Sequence, residues 1–286
     1  MSDLAAVFSQ PVIQIIRQRS SQRSYSGEPL NALHRAKISV MLNEIGHGPF
    51  GNRVRFSLVS MQDENSDKPV KLGTYGFISG ARDFIVGTIG RDQNACEDYG
   101  YLLERIILQV TDWGLGTCWL GGSFNKSAFA RAIDLAENEI IPAVTPIGYT
   151  ATRRTLRDQV IRLAINSKVR KPWSEIFFNQ TFAQPLTTQA AGEFVEVLEM
   201  VHLAPSASNK QPWRILKTGE GFHFFLRRTP GYGSAFKADL QKVDMGIALS
   251  HFELTAREMN LPGCWKMLNP ELSLPDDWIY TVSWEK

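Results

Sequence analysis

Apolar positions along the chain switch repeatedly between helical and strand spacing, and the switches lay out an ordered series of elements. Val12, Ile15 and Ile16 recur at helical spacing and predict a first helix over residues 12–19. After a loop with Gly27 and Pro29, Leu33, Ile38, Met41 and Leu42 pattern a second helix over residues 30–45. Residues 53–61 change to a period of two, with Val54, Phe56 and Leu58 set against Arg55 and Ser57, as in a strand with one buried face. Residues 63–68 form a polar turn and 84–89 a short apolar strand. A strong helical pattern covers 98–113 through Leu102, Leu103, Ile106, Ile107 and Val110. Gly114 and Gly116 end it, and residues 117–120 return to strand. A further helix is expected over 126–137, then a strand over 140–149 interrupted by Pro142 and Pro146.

Residues 153–171 are basic, and the polar stretch 180–189 is expected as a linker. Beyond it the pattern predicts a helix over 191–203, strands near 213–217 and 223–227, and a long helix reaching about residue 260. Strands near Cys264 and over 279–284 finish the series. Interleaved helices and strands of this kind predict an α+β fold of mixed α/β layers.

The later elements echo the earlier ones. Asp98 and Asp244, Gly100 and Gly246, Leu108 and Leu254, Leu115 and Leu261, Cys118 and Cys264, and Trp119 and Trp265 all stand 146 residues apart. One offset spans a helix, its glycine-containing exit and the following strand. Two copies are too few for a solenoid. The expectation is an internal duplication, with a first half over 1–180 and a shorter second half over 190–286. The halves would be related by a pseudo-twofold axis, so that a monomer mimics a dimer.

Composition narrows the function classes. The 286 residues are 43% hydrophobic and 21% charged, which supports a large buried core rather than long disorder. A net charge of +2 is too small to imply nucleic acid or an anionic membrane as the main partner. Cys96, Cys118 and Cys264 form no CxxC pair, so a reduced, cytoplasmic protein without a disulfide framework is expected. No apolar run approaches the roughly 20 residues that span a bilayer. Residues 1–10 place no basic residue ahead of an apolar run, and Arg17 and Arg19 interrupt the Ile-rich stretch that follows. An amphipathic helix is expected there, not a signal peptide. The histidines, His34, His202 and His251 among them, lack metal-ligand spacing, and no metal site is expected. Asp98 and Asp244 are expected to cap or precede helices. Trp113, Trp119 and Trp265 are expected in the core, with Trp119 placed to border a ligand. No GxGxxG follows a strand, so a Rossmann site for stably held NAD is not supported.

Three segments carry candidate chemistry. Arg19, Ser21 and Arg23 follow the first helix, with Tyr25 two residues on. Two guanidinium forks flanking a hydroxyl suit a phosphate. Lys168 and Arg170 put two more cations on one side of an extended segment. Residues 204–213, Ala-Pro-Ser-Ala-Ser-Asn-Lys-Gln-Pro-Trp, make a stiff polar loop at a helix exit. Such a loop can set backbone groups and the Asn209 amide against a flat heterocycle.

These segments together resemble the FMN-dependent nitroreductase superfamily, in the branch where one chain carries both halves of the usual dimer. Residues 16–25 are similar to that family's first-helix signature, which grips the FMN phosphate; Arg19, Ser20, Ser21 and Arg23 are the matching positions. Pro205, Ser206, Ala207 and Asn209 match the Pro-Ser-x-x-Asn-x-Gln-Pro-Trp loop that crosses from the partner subunit onto the flavin. Trp119, Leu120, Gly121 and Gly122 fall where relatives pass a strand beside the isoalloxazine, and Lys168 and Arg170 match the C-terminal phosphate clamp. The second half repeats neither the Arg-x-Ser-x-Arg run nor the clamp, and the first half's counterpart of the crossing loop keeps only Pro49 and Asn52. Where many relatives carry a Glu beside the flavin, Gly121 stands here. The resemblance implies one FMN site per chain and an NAD(P)H-driven, two-electron reduction of nitroaromatic or quinone-like acceptors. It implies no side-chain acid or base. The alternative is a non-catalytic flavin-binding or regulatory protein of the same fold.

Overall fold

The computed structural model describes residues 8–61, 74, 76–152, 169–219, 221–232, 238–268, 274–275 and 277–286. Strands β1 (Val54–Ser60), β2 (Asp83–Ile89), β3 (Gly116–Thr117) and β4 (Val144–Gly148) form one antiparallel sheet in the order β1-β2-β4-β3. A second sheet holds β5 (Phe177–Asn179), β6 (Thr181–Pro185), β7 (Trp213–Thr218), β8 (Gly221–Arg227), β9 (Cys264–Lys266) and β10 (Trp278–Glu285). Its order is β6-β5-β7-β8-β10-β9, and the run β7-β8-β10-β9 repeats the first sheet strand for strand. β5 joins the free edge of β7 in parallel and β6 folds back on it. The polar stretch expected as a linker is therefore partly sheet. Thr181–Pro185 is an edge strand whose residues are mostly exposed, which is why its composition reads as a connection.

Helices α1 (Val12–Gln18), α2 (Ala32–Glu44), α3 (Ala95–Asp112) and α4 (Lys126–Ala132) accompany the first sheet in sequence. Short α5 (Trp173–Ile176) and α6 (Thr188–Ala191), then α7 (Val195–Leu203) and α8 (Leu240–Glu258), accompany the second. The long helices α3 and α8 pack against each other at the centre, and their apolar residues join both sheets in one core. The closeness of that packing depends on two glycines. A Cβ on Gly100 would lie 2.0 Å from the Val243 carbonyl oxygen, and one on Gly246 would lie 1.9 Å from that of Glu97. The two contacts are related by the same 146-residue offset that relates the sequence pairs.

Asp98 and Asp244 do not cap these helices. α3 begins at Ala95 and α8 at Leu240, where the Asp239 carboxylate accepts from the Lys242 amide as the N-cap. Both aspartates therefore sit about one turn inside their helix, buried, and each holds a loop instead. Asp98 accepts from the amides of Phe50 and Asn52 at 2.9 and 2.7 Å, and Asp244 from the amide of Ala207 at 2.8 Å. Burial pushes both carboxyls above their ordinary range. The remaining expected helices and strands occur within a few residues of their predicted ends, except that α4 stops at Ala132 and β4 begins only at Val144. The expected turn at 63–68 lies outside the described residues.

Candidate functional site

α1 ends where the Arg19 amide bonds back to the Ile15 carbonyl at 2.8 Å, and the chain continues extended. Ser21 pairs with Thr117 of β3, and the Gln22 amide bonds to the Thr117 carbonyl at 2.8 Å. The Arg23 carbonyl accepts from the Ser79 amide at 2.9 Å, and Ser20 Oγ accepts from the Gln22 side chain at 3.0 Å. This stitching fixes where Arg19, Ser20, Ser21 and Arg23 lie. Arg19 is largely sheltered, and its Nε stands 3.6 Å from Glu104 Oε1 without a hydrogen bond.

Glu104 is a fully buried carboxylate on α3. Its Oε2 accepts from the Trp119 indole at 2.7 Å, and its Oε1 faces His251 Nε2 of α8 at 2.9 Å. One side chain thus ties the Arg19 segment to the stretch after β3 that carries Trp119 and to α8. Leu120 is buried and bridges Val144, while Gly122 lies exposed in a bend. Gly121 leaves room for Leu240 at the start of α8: a Cβ there would lie 2.8 Å from Leu240 Cδ1.

The loop after α7 meets this segment through Arg170. Arg170 Nη1 donates to Asn209 Oδ1 at 3.2 Å and Nη2 to the Leu203 carbonyl at 3.1 Å. Burial holds the Arg170 guanidinium below its usual pKa, and the neighbouring charge of Arg19 lowers it further. A dianion bound beside Arg170 would offset both effects. The loop itself is tightly wound. Ser208, Asn209 and Gln211 have φ of 48°, 54° and 47°, a left-handed conformation that side chains adopt only where surroundings impose it. The Ala207 amide bond to Asp244 and the Gln211 amide bond to Ser206 Oγ at 2.9 Å supply that constraint.

Of the expected phosphate ligands, Arg19 bears on Arg170 through its charge, Arg23 follows Arg19 on the same stitched segment, and Lys168 falls outside the described residues. Asn209 is bonded to Arg170, while Ser206 and Ala207 bond to Gln211 and Asp244 in the loop that carries it. Glu104 and His251 were not expected in the site, although an acidic residue next to Arg105 inside the apolar run Leu102 to Ile107 was a visible signal. Among the described residues, no group of three His, Cys, Asp or Glu could hold a metal ion, and no helix is long and apolar enough to cross a membrane.

Comparison with known proteins agrees with this arrangement of elements. The crystal structure of a Thermotoga maritima protein described as a nitroreductase superposes with a TM-score of 0.60 at 22% identity, covering 96% of this chain and 93% of that one. A nitroreductase family protein from Clostridium difficile gives 0.43 at 18% identity over 57% of this chain and 94% of its own. A nitroreductase in complex with FMN from Desulfovibrio desulfuricans gives 0.40 at 23% identity over 52% and 95%. A search of curated protein sequences returned no match. The profile of the family described as "Putative TM nitroreductase" matches residues 11–256, and the chain belongs to that nitroreductase family.

Proposed function

We propose that this protein is an FMN-dependent oxidoreductase with one flavin site per chain, assembled from both halves of an internally duplicated monomer in the cytoplasm. The observation that carries the reading is the meeting of Arg19, Arg170 and Asn209. Asn209 accepts from Arg170 at 3.2 Å, and the charge of Arg19 bears on the same guanidinium. The residues present fit the phosphate end of FMN: Arg19 Nε is buried and lacks an acceptor, and the Arg19 charge bears on the sheltered Arg170 guanidinium. The repeated sheet order and the reciprocal glycine contacts support the duplication.

Bound FMN would supply the redox chemistry, accepting hydride from NAD(P)H and reducing a nitroaromatic or quinone-like acceptor. The chain's own residues have simpler tasks. Arg19, Arg23 and Arg170, with Lys168 as the sequence motif implies, would hold the phosphate, while Trp119 to Gly122 and Pro205 to Asn209 would border the ring. Fixed dipoles of this kind orient a cofactor and tune its potential without proton transfer by a side chain.

The test is the visible spectrum of freshly purified protein, followed by oxidation of NADPH or NADH with menadione or nitrofurazone. Flavin absorbance with turnover supports the enzyme. Flavin without turnover would make the chain a flavin-binding protein, and failure to take up added FMN would overturn the reading.

A further inference from the structure

We propose that Gln211 is a positioning residue that fastens the anion clamp at Arg170 to the loop carrying Asn209 without touching the ligand itself. The inference rests on the flavin reading above and assigns a task to a residue which that reading leaves idle. Gln211 is 2% exposed, and its side-chain amide is spent on the two segments that would flank a bound flavin. Oε1 accepts from the Lys171 amide at 2.9 Å. Nε2 donates toward Asn209 O and Asn209 Oδ1, both at 3.2 Å, and toward the Val169 carbonyl at 3.5 Å. The residues on either side of Arg170 are thus joined to Asn209 through one amide. Asn209 Nδ2 reinforces the join at the Val169 carbonyl, 2.8 Å away.

The main chain of Gln211 is fixed as well. Its carbonyl accepts from Arg214 Nη1 at 3.0 Å, and that guanidinium is buried beneath the loop with a second bond to the Trp213 carbonyl at 2.6 Å. The left-handed Ser208, Asn209 and Gln211 are therefore held from three sides. Chemistry selects the residue type. Asn is one methylene too short to span the gap, Glu would turn a carboxylate toward three acceptor oxygens, and Met has the length but no comparable donor. A pre-fastened loop loses little freedom when a ligand arrives, and that saving goes into affinity.

The experiment uses the full chain with Gln211→Met and Gln211→Glu, titrating FMN and riboflavin into flavin-free protein by fluorescence. Both variants should bind FMN at least tenfold more weakly than the wild type, and riboflavin should weaken less, so the preference for FMN shrinks. FMN binding at wild-type strength, or equal losses for both ligands, would overturn the positioning role. Hydrogen exchange on the same flavin-free proteins separates this from failure of the flavin reading. The Lys171 amide should exchange at least tenfold faster in Gln211→Met, while the central β8 amides should not change. If the wild type takes up no flavin, the flavin reading fails, and an unchanged Lys171 rate would sink the fastening as well.

Discussion

His251 Nε2 lies 2.9 Å from Glu104 Oε1, while its Nδ1 lies 2.8 Å from the Met200 carbonyl, so the imidazole is bracketed by acceptors. A carbonyl oxygen cannot donate, which places a proton on Nδ1. At the second contact Nε2 faces the buried Glu104 carboxyl. With Trp119 on the other oxygen and Arg19 alongside, Glu104 links the Arg19 segment to its surroundings. Glu104→Ala should destabilise the fold by about 3–5 kcal/mol, the usual cost of stripping a buried charged partner. Urea unfolding measures it; a loss under 1 kcal/mol would show that the cluster carries little. The nitrogen spectrum of His251 should show Nδ1 protonated.

The glycines at the centre give a paired prediction. Gly100→Ala and Gly246→Ala each drive a methyl group into backbone, which cannot move aside as a side-chain tip can. Overpacking of that kind costs about 3 kcal/mol, at the upper end of the ordinary range. Gly46, with nothing within 4 Å of its would-be Cβ, is the control and should tolerate Ala within about 0.5 kcal/mol. Thermal unfolding of the three variants decides the matter. A large loss at only one of the two helix glycines would contradict the reciprocal contact.

Acid should weaken a different part of the molecule. Hydrogen bonds from Arg55, which lies 2.6 Å away, chiefly hold Glu139 down to about 2 from 4.5, with Thr88 assisting at 2.8 Å. A carboxyl whose folded pKa is depressed stabilises the fold above its unfolded value and loses that contribution as pH falls through the folded one. The stabilisation is therefore complete above about 4.5 and declines toward 2. Glu139→Gln should be less stable than the wild type near neutrality, and the gap should narrow at acid pH. A gap independent of pH would show that the carboxylate charge is immaterial.

Arg170 offers a direct probe of the phosphate. Replacing it by Ala should weaken FMN binding by about 1.5–3 kcal/mol, the range for a hydrogen bond to a charged group. Riboflavin, which has no phosphate, should be affected far less in a parallel titration. Equal losses would mean that the bond to Asn209 matters more than the charge.

The fold was largely legible because its helices and strands are patterned by burial, and burial periodicity is what a sequence displays. Val54 and Phe56, or Leu102, Leu103 and Ile106, declare their elements without help. Thr181–Pro185 did not, since an edge strand with exposed residues carries no apolar face. Asp98 and Asp244 were misplaced because a helix start shifted by a few residues turns a cap into a buried anchor. The candidate site was legible where charge clusters locally, at Arg19 to Arg23. It was opaque where partners lie far apart in sequence, as with Glu104 and His251, or Gln211 and Lys171.

Asp98 anchors the loop of Asn52 and Asp244 the loop of Asn209, yet the two asparagine side chains bond to different partners. Asn52 Nδ2 donates to Asp98 Oδ2 at 3.0 Å and to the Gln93 carbonyl at 2.9 Å, so its amide serves the fold. Asn209 is bonded to Arg170, the cation beside Arg19, and sits in a strained loop on the proposed flavin side. Asn52→Ala removes hydrogen bonds to a buried carboxylate and should cost about 1–2 kcal/mol of stability while leaving flavin affinity alone. Asn209→Ala also gives up bonds to Arg170 and the Val169 carbonyl and should cost a similar amount of stability, but it alone should weaken flavin binding or shift its potential. Paired urea melts and FMN titrations on the two variants separate the outcomes. If Asn209→Ala binds flavin like the wild type, or if Asn52→Ala weakens binding as much, the second half does not complete the site of the first.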